Sequence, residues 1–391
     1  MKDETIIIPV SQPWKWSVDF YEQTARILAK KNRVICITYD NPRLLISYIK
    51  SRKLPHLFTI IHKRFVLFTP IDFIPLRRFP YVNRINYFLN SILVRIFIMI
   101  YWRKKIVDKL ILWVFDPQFY YFLSCFSYKH FVLYDIVDYL KGIGLSDESK
   151  KNFVQLEEKL LLRANLVTVN SKTLYQLYKI KRRNIYVVPQ GFRLNLFHND
   201  AYKKKSNFSK KPVIGYIGGL NNRLDYSLLF SLIQNNFAYQ FIFAGQIQNR
   251  DADAHLQKNI LHLFSYQNCT YVGNIPKTRI AAFLGQCGIC IIPYDHRKSF
   301  NKYCYPMKLF EYFYMGKPVI STPIEELKRF PKFVHMGSTA KEWEKYVHIL
   351  SSKKWPIAYR HEQRRIAIAN SWERKIEKII NIIKSVDVKT Q

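Results

Sequence analysis

The chain has 391 residues, enough for two hydrophobic cores of ordinary domain size. A hydrophobic content of 49% excludes general disorder, and 62 basic against 28 acidic residues leave a net charge of +34. That charge excludes indifference to polyanions and points to nucleic acid, anionic lipid headgroups or phosphorylated substrates; the 16% aromatic content suits a membrane interface at least as well as DNA.

The first apolar run, Thr5–Val10, is too brief for a secretory core and is predicted to be a strand. Residues 18–30 carry helical spacing at Val18, Tyr21, Ala25 and Leu28, and residues 33–39 read as the next strand. Residues 85–102 approach the length of a membrane span, but Asn86, Asn90, Ser91 and Arg95 recur along one helix face. The pattern predicts an amphipathic helix that lies in an interface or packs on a domain, in a chain that is soluble or monotopic. Short apolar strands follow at 110–115, 131–134, 166–170 and 185–189, separated by helical stretches. That alternation predicts a parallel sheet covered on both faces. The basic polar stretch 199–211 then reads as a linker.

The rhythm restarts with strands at Val213–Ile217, Gln240–Ala244, 269–272, 288–292 and 317–321, with a helix from about Asp225. Residues 371–385 form a last helix, with Ile376, Ile379, Ile380 and Ile383 on one stripe and Ser371 as its N-cap. The expected class is α/β: two doubly wound, Rossmann-like domains at 1–198 and 212–360, the linker 199–211, and a C-terminal segment 361–391 returning toward the first domain. Ligands of open α/β sheets bind beyond the carboxyl ends of the strands, so the cleft between two such domains is the expected site.

Six scattered cysteines are too few for a disulfide framework in a chain of this length and fit a reducing compartment. Cys287 and Cys290 spell C-x-x-C, but in a strand they would face opposite sides, and no second pair completes a zinc site. His56, His62, His130 and His296 have no ligand spacing, so no metal is expected. Asp251-Ala-Asp253 has the letters of a D-x-D motif but falls in a polar loop and reads as a solvated turn. Trp14 and Trp16 suit either an acceptor sugar or the core.

Two segments carry chemistry. Gly218-Gly219 follows a strand, which lets backbone approach a phosphate, and Arg223 adds a bidentate guanidinium. Met307, Lys308 and Glu311 begin a helix on which Lys308 and Glu311 share a face. That pair is either a surface ion pair or a lysine for a diphosphate with a glutamate for two ribose hydroxyls.

The run from Lys308 through Pro323, K-L-F-E-Y-F-Y-M-G-K-P-V-I-S-T-P, resembles the nucleotide-sugar-binding segment of GT-B-fold glycosyltransferases, especially bacterial polysaccharide enzymes of the teichuronic acid type. Ser11-Gln-Pro-Trp14, Leu112-Trp-Val-Phe-Asp-Pro117, Tyr134-Asp-Ile-Val-Asp138, Arg163-Ala-Asn165, Gly215-Tyr-Ile-Gly-Gly-Leu220 and Ser371-Trp372 resemble further segments of that family in their order. Tyr303 stands where many retaining members carry the first of two glutamates, the second matching Glu311; Gln190 and Asn165 are further departures. Met307-Lys308 also resembles inverting glucuronosyltransferases of exopolysaccharide synthesis, in which an N-terminal-domain aspartate is the base. An inverting transfer needs such a carboxylate, which directs attention to Asp138, and to Asp135 unless it only ties the turn.

The resemblance implies a metal-independent hexosyltransferase with a nucleotide-sugar co-substrate, UDP-linked, and no resident cofactor. Gly218, Gly219, Arg223, Met307, Lys308 and Glu311 would bind the donor. The acceptor would be a glycan or lipid-linked glycan, and the enzyme a cytoplasmic protein peripheral at the anionic inner face of the membrane. The rivals are a retaining transferase on a soluble acceptor, a basic nucleic-acid-binding protein, for which no recognised module is present, and an inactive scaffold of the same fold.

Overall fold

The computed structural model describes all residues except 12–13, 15–18, 39–42, 45–56, 76–78, 104–108, 128, 140–146, 182–183, 198–211, 248–252 and 388–391. The expected linker 199–211 and Trp16 therefore lie outside the described residues. The chain divides into two compact units: Met1–Val137 with Ile143–Val188 and Lys375–Gln391, and Asp138–Gly142 with Pro189–Arg374.

The strands of the first unit are β1 (Thr5–Val10), β2 (Arg33–Thr38), β3 (Arg43–Leu44), β4 (Phe58–His62), β5 (Phe65–Phe68), β6 (Ile71–Asp72), β7 (Leu110–Val114), β8 (Phe131–Ile136), β9 (Leu166–Val169) and β10 (Ile185–Val187). Eight of them form one sheet in the order β10-β9-β8-β7-β1-β2-β5-β4, while β3 and β6 pair separately. Among the described strands of this sheet, only the β4–β5 pair is antiparallel. The strand order reverses between β1 and β7, the switch point of a doubly wound sheet. Every residue of β1, β7 and β8 is buried, as a sheet covered on both faces requires. On one face Ile6, Ile8 and Val10 share a core with Tyr21, Ala25 and Leu28 of the helix Asp19–Ala29, and with Ile376, Ile379 and Ile383 of the last helix.

The second unit holds β11 (Val213–Ile217), β12 (Gln240–Ala244), β13 (Cys269–Gly273), β14 (Ile289–Ile292), β15 (Val319–Ser321) and β16 (Val334–Met336). They run parallel in the order β13-β12-β11-β14-β15-β16, so the switch point lies between β11 and β14. Phe192 and Phe197 pack into this unit's core, which explains why it begins at Pro189, ahead of the boundary expected near 198. The expected segment 361–391 is two helices, Ile357–Ala369 and Trp372–Asp387. The first belongs to the second unit, and the second supplies the Ile376–Ile383 stripe to the first. Arg374 N donates to Ser371 Oγ at 3.4 Å, in line with the expected N-cap.

One reading changes. Cys287 ends the helix Ile280–Gln286 rather than lying in β14, so its thiol meets that of Cys290 instead of facing away; both are buried free thiols. Asp253, read as part of a solvated turn, is the solvated N-cap of the helix Ala254–Leu263, accepting from Leu256 N at 2.9 Å, and Asp251 lies outside the described residues.

Candidate active site

The carboxyl ends of β11 and β14 are neighbours at the switch point of the six-stranded sheet, and the donor-site residues expected from the sequence gather there. Gly218 follows β11 with φ +140°, a conformation that favours glycine. A Cβ at Gly218 would lie 2.5 Å from Lys308 Nζ, so its missing side chain is the space that the ammonium occupies. Tyr216 Oη donates to Gly219 O at 3.0 Å and folds the glycine turn back on the strand. Gly245, at φ +138° after β12, packs so closely on the Gly218 carbonyl that any Cβ would overlap it.

Lys308 is the first residue of the short helix Lys308–Tyr314, and Met307 is its N-cap. It is buried, with Nζ 3.9 Å above the Tyr216 ring and 4.8 Å from that of Tyr294. Burial, and then the neighbouring Arg223 guanidinium, push its pKa well below the ordinary lysine value; Glu311 acts in the opposite direction. Arg223 lies 4.5 Å from the Tyr294 ring and 4.4 Å from that of Phe300, and donates from Nε to Asn301 Oδ1 at 2.9 Å. Asn301 is held in turn by donating to Arg223 O and Asp295 O, both at 2.9 Å. Buried Lys308 and half-buried Arg223 thus share the faces of three aromatic rings. Cation–π contacts offset part of the cost of burying them, but not their mutual repulsion. An anion placed here would relieve both. Glu311, one turn along the same helix, is half-buried.

The two candidate bases separate. The sequence suggested a strand ending at Tyr134, but β8 continues to Ile136 and carries Asp135 inside the sheet. Asp135 is fully buried, accepts from Thr168 Oγ1 at 2.8 Å and forms an ion pair with Lys375 at 3.5 Å. A carboxylate so enclosed ties the last helix to β8, and no outside hydroxyl reaches it. Asp138 lies beyond the strand, is half-buried and groups with the second unit. Against desolvation, Tyr294, Cys304 and then Asp138 raise the pKa of Arg223, and Asp138 adds to burial in pushing the Tyr294 hydroxyl up to about 12. Asp138 thus acts electrostatically on Arg223 and Tyr294, which flank Lys308, whereas Asp135 is tied within the first unit. Tyr303 packs its ring 4.6 Å from that of Tyr139.

Sequence reasoning missed Tyr294, Phe300, Asn301 and Gly245. The switch-point rule applied to the strand ending at Ile292 would have flagged Tyr294, whereas Asn301 and Gly245 show no signal short of their contacts. It also passed over Asp116, which follows β7 at the first sheet's switch point. Burial raises the pKa of its carboxyl group although Gln118 N donates to it at 2.9 Å. Trp14 packs edge-on against Phe65 at 5.4 Å, beside the first core.

Residues 211–347 match the family described as glycosyl transferases group 1. TuaH of Bacillus subtilis (strain 168), whose name assigns it to teichuronic acid biosynthesis as a glycosyltransferase, is 24% identical over 238 residues. That match covers 58% of each chain, so it spans less than two thirds of this curated relative. Sucrose-phosphate synthase from Thermosynechococcus elongatus superposes with a TM-score of 0.73 at 14% identity, covering 99% of this chain and 100% of its own. Anabaena HepE, solved in complex with UDP and glucose, superposes with a TM-score of 0.68 at 13% identity, covering 97% and 99%. Residues 211–347 thus match the glycosyl transferases group 1 family, in a chain that has the GT-B fold.

Proposed function

We propose that the chain is a glycosyltransferase of bacterial polysaccharide biosynthesis, moving a hexose from a UDP-linked donor to a lipid-linked or growing surface glycan. The observation that carries this reading is the buried Lys308 against Gly218 with the half-buried Arg223 beside it, an arrangement that suits a diphosphate. The HepE complex with UDP and glucose supports a uridine nucleotide as its source.

In this reading Lys308 and Arg223 neutralise the charge that develops on the leaving diphosphate. Gly218 and Gly219 admit it to the backbone, Met307 flanks it, and Glu311 accepts from the ribose hydroxyls. The acceptor oxygen attacks the anomeric carbon as the bond to UDP breaks, and Asp138 takes the acceptor proton. Asp135 is assigned a structural role. The protein's own cations supply the positive charge. The enzyme works in the cytoplasm, at the inner face of the membrane where a lipid-linked acceptor is presented.

Calorimetric titration with UDP and UDP-sugars tests the reading. Binding to the wild type, weakened at least about tenfold by Lys308→Ala, is expected from the loss of a charged contact. Equal affinity in the two proteins would remove Lys308 from the site.

A further inference from the structure

The helix Pro80–Tyr101 is amphipathic in the reverse of the usual sense. Its polar stripe faces inward. Asn90 accepts from Ile71 N at 2.9 Å and donates to Ile71 O at 2.8 Å. Asn86 accepts from Phe73 N and Ile74 N, both at 3.0 Å, and donates to Ile74 O at 2.9 Å. Arg95 donates to Cys125 O and lies 5.0 Å from the Phe126 ring. The outward face carries Tyr81 (61% exposed), Phe88 (51%), Met99 (41%) and Ile100 (68%), with Ile85 and Ile96 between them. With half-buried Ile92 filling the gap after Phe88, these positions fall on one helix face and make a stripe about 29 Å long.

The β4–β5 hairpin extends the stripe. Phe58 stacks on Phe97 at 4.1 Å, Trp102 Nε1 donates to Lys63 O at 3.0 Å, and Ile60 and Ile61 are exposed beside them. Neither the helix nor the hairpin contains an acidic residue, whereas Arg84, Lys63 and Arg103 are exposed around the apolar surface. A soluble domain gains nothing by leaving so much contiguous apolar surface in water.

We propose that this face inserts into the headgroup layer of an anionic phospholipid membrane, with the helix lying in the plane of the interface. The apolar stripe enters the acyl boundary while Lys63, Arg84 and Arg103 meet headgroup phosphates. The helix Tyr81–Tyr101 is long and apolar enough to cross a bilayer, but its inner face is hydrogen-bonded to the domain, so it lies on the membrane rather than through it. A second copy would bring the same cationic rim against itself. A nucleic acid would use the cations and leave the isoleucines in water. The proposal takes only the membrane location from the proposed function and is independent of the donor.

Flotation of the full chain with phosphatidylcholine vesicles, with and without phosphatidylglycerol, tests it. Capture by the anionic vesicles at low salt is expected, with little by the neutral ones. Lys63→Glu with Arg103→Glu should weaken capture by roughly fivefold or more per residue. Ile96→Glu with Ile100→Glu should weaken it at least about tenfold. Each variant should keep the wild-type thermal midpoint and response to UDP, which separates lost docking from lost fold. Equal recovery on both vesicle types would overturn the proposal. So would isoleucine variants that float like the wild type, or that only dissociate an oligomer. Flotation as expected in a protein that ignores UDP would instead sink the donor reading and leave the surface intact.

Discussion

Three effects oppose a charge on Lys308: burial, the adjacent Arg223, and its place at the positive end of a helix. A group held this way serves ligand binding at the expense of stability. Lys308→Met should therefore bind UDP at least about tenfold more weakly, from the loss of a charged hydrogen bond worth about 1.5–3 kcal/mol. Its ligand-free thermal midpoint should stay level or rise, because an uncompensated buried cation is gone. A parallel fall in both would mark Lys308 as merely structural. The pH dependence has a definite sign. The pKa of Lys308 is lowered in the free protein, and a bound diphosphate would raise it again. UDP binding should then take up a proton, with affinity complete below the free-site pKa and declining as pH rises through it, short of the ordinary lysine range. Calorimetry in buffers of different ionisation heat reads that uptake; an affinity flat up to the ordinary lysine pKa would contradict it. The two aspartates should part in the same spirit. Asp138→Asn should abolish transfer with UDP binding and stability nearly intact. Asp135→Asn should cost stability, since breaking a buried ion pair costs about 3–5 kcal/mol, while the folded fraction still turns over. The reverse pattern would exchange their roles.

Among the elements, the last helix has the clearest energetic part. Ile376, Ile379 and Ile383 are buried in the first unit's core, each worth about 1.5–3 kcal/mol, and Lys375 pairs with Asp135 beneath them. Their sum rivals the whole stability of an ordinary domain. A chain ending at residue 371 should lose hydrogen-exchange protection in β1 and β7; unchanged protection would mean that the core closes without the helix. This stripe was legible in the sequence because its period of three to four is strong. So were most strands, whose continuous apolar runs stand out between polar turns. Other elements were not. The extension of β8 through Asp135 has no local signal, because the carboxylate is accommodated by Lys375, 240 positions away in the chain and thus invisible to pattern reading. Asn86 and Asn90 were read correctly as one face of a helix, but periodicity does not say which face turns inward. The backbone of residues 71–74 decides that by offering hydrogen bonds.

For the whole molecule, composition points to polyanionic partners without placing them. The excess of 62 basic over 28 acidic residues is spread through the chain, and two different uses of it emerge. Lys308 and Arg223 are desolvated and enclosed by rings, so their attraction for a diphosphate should resist salt. Lys63, Arg84 and Arg103 are exposed, and their attraction for a charged surface should weaken within a Debye length of about 8–10 Å. The proposed donor residues were singled out through the Lys308–Glu311 spacing, the glycines after β11 and Arg223. Their enclosure was not legible, because only the packing of Tyr216, Tyr294 and Phe300 creates it. The central claim is that Lys308 and Arg223 form a nucleotide-sugar site. Thermal unfolding of the wild type and Lys308→Met across a panel of nucleotide sugars tests it most directly. A rise in midpoint with UDP-linked sugars, absent from the variant, is the expected result. A panel in which no nucleotide sugar stabilises the wild type, or in which both proteins respond alike, would contradict it.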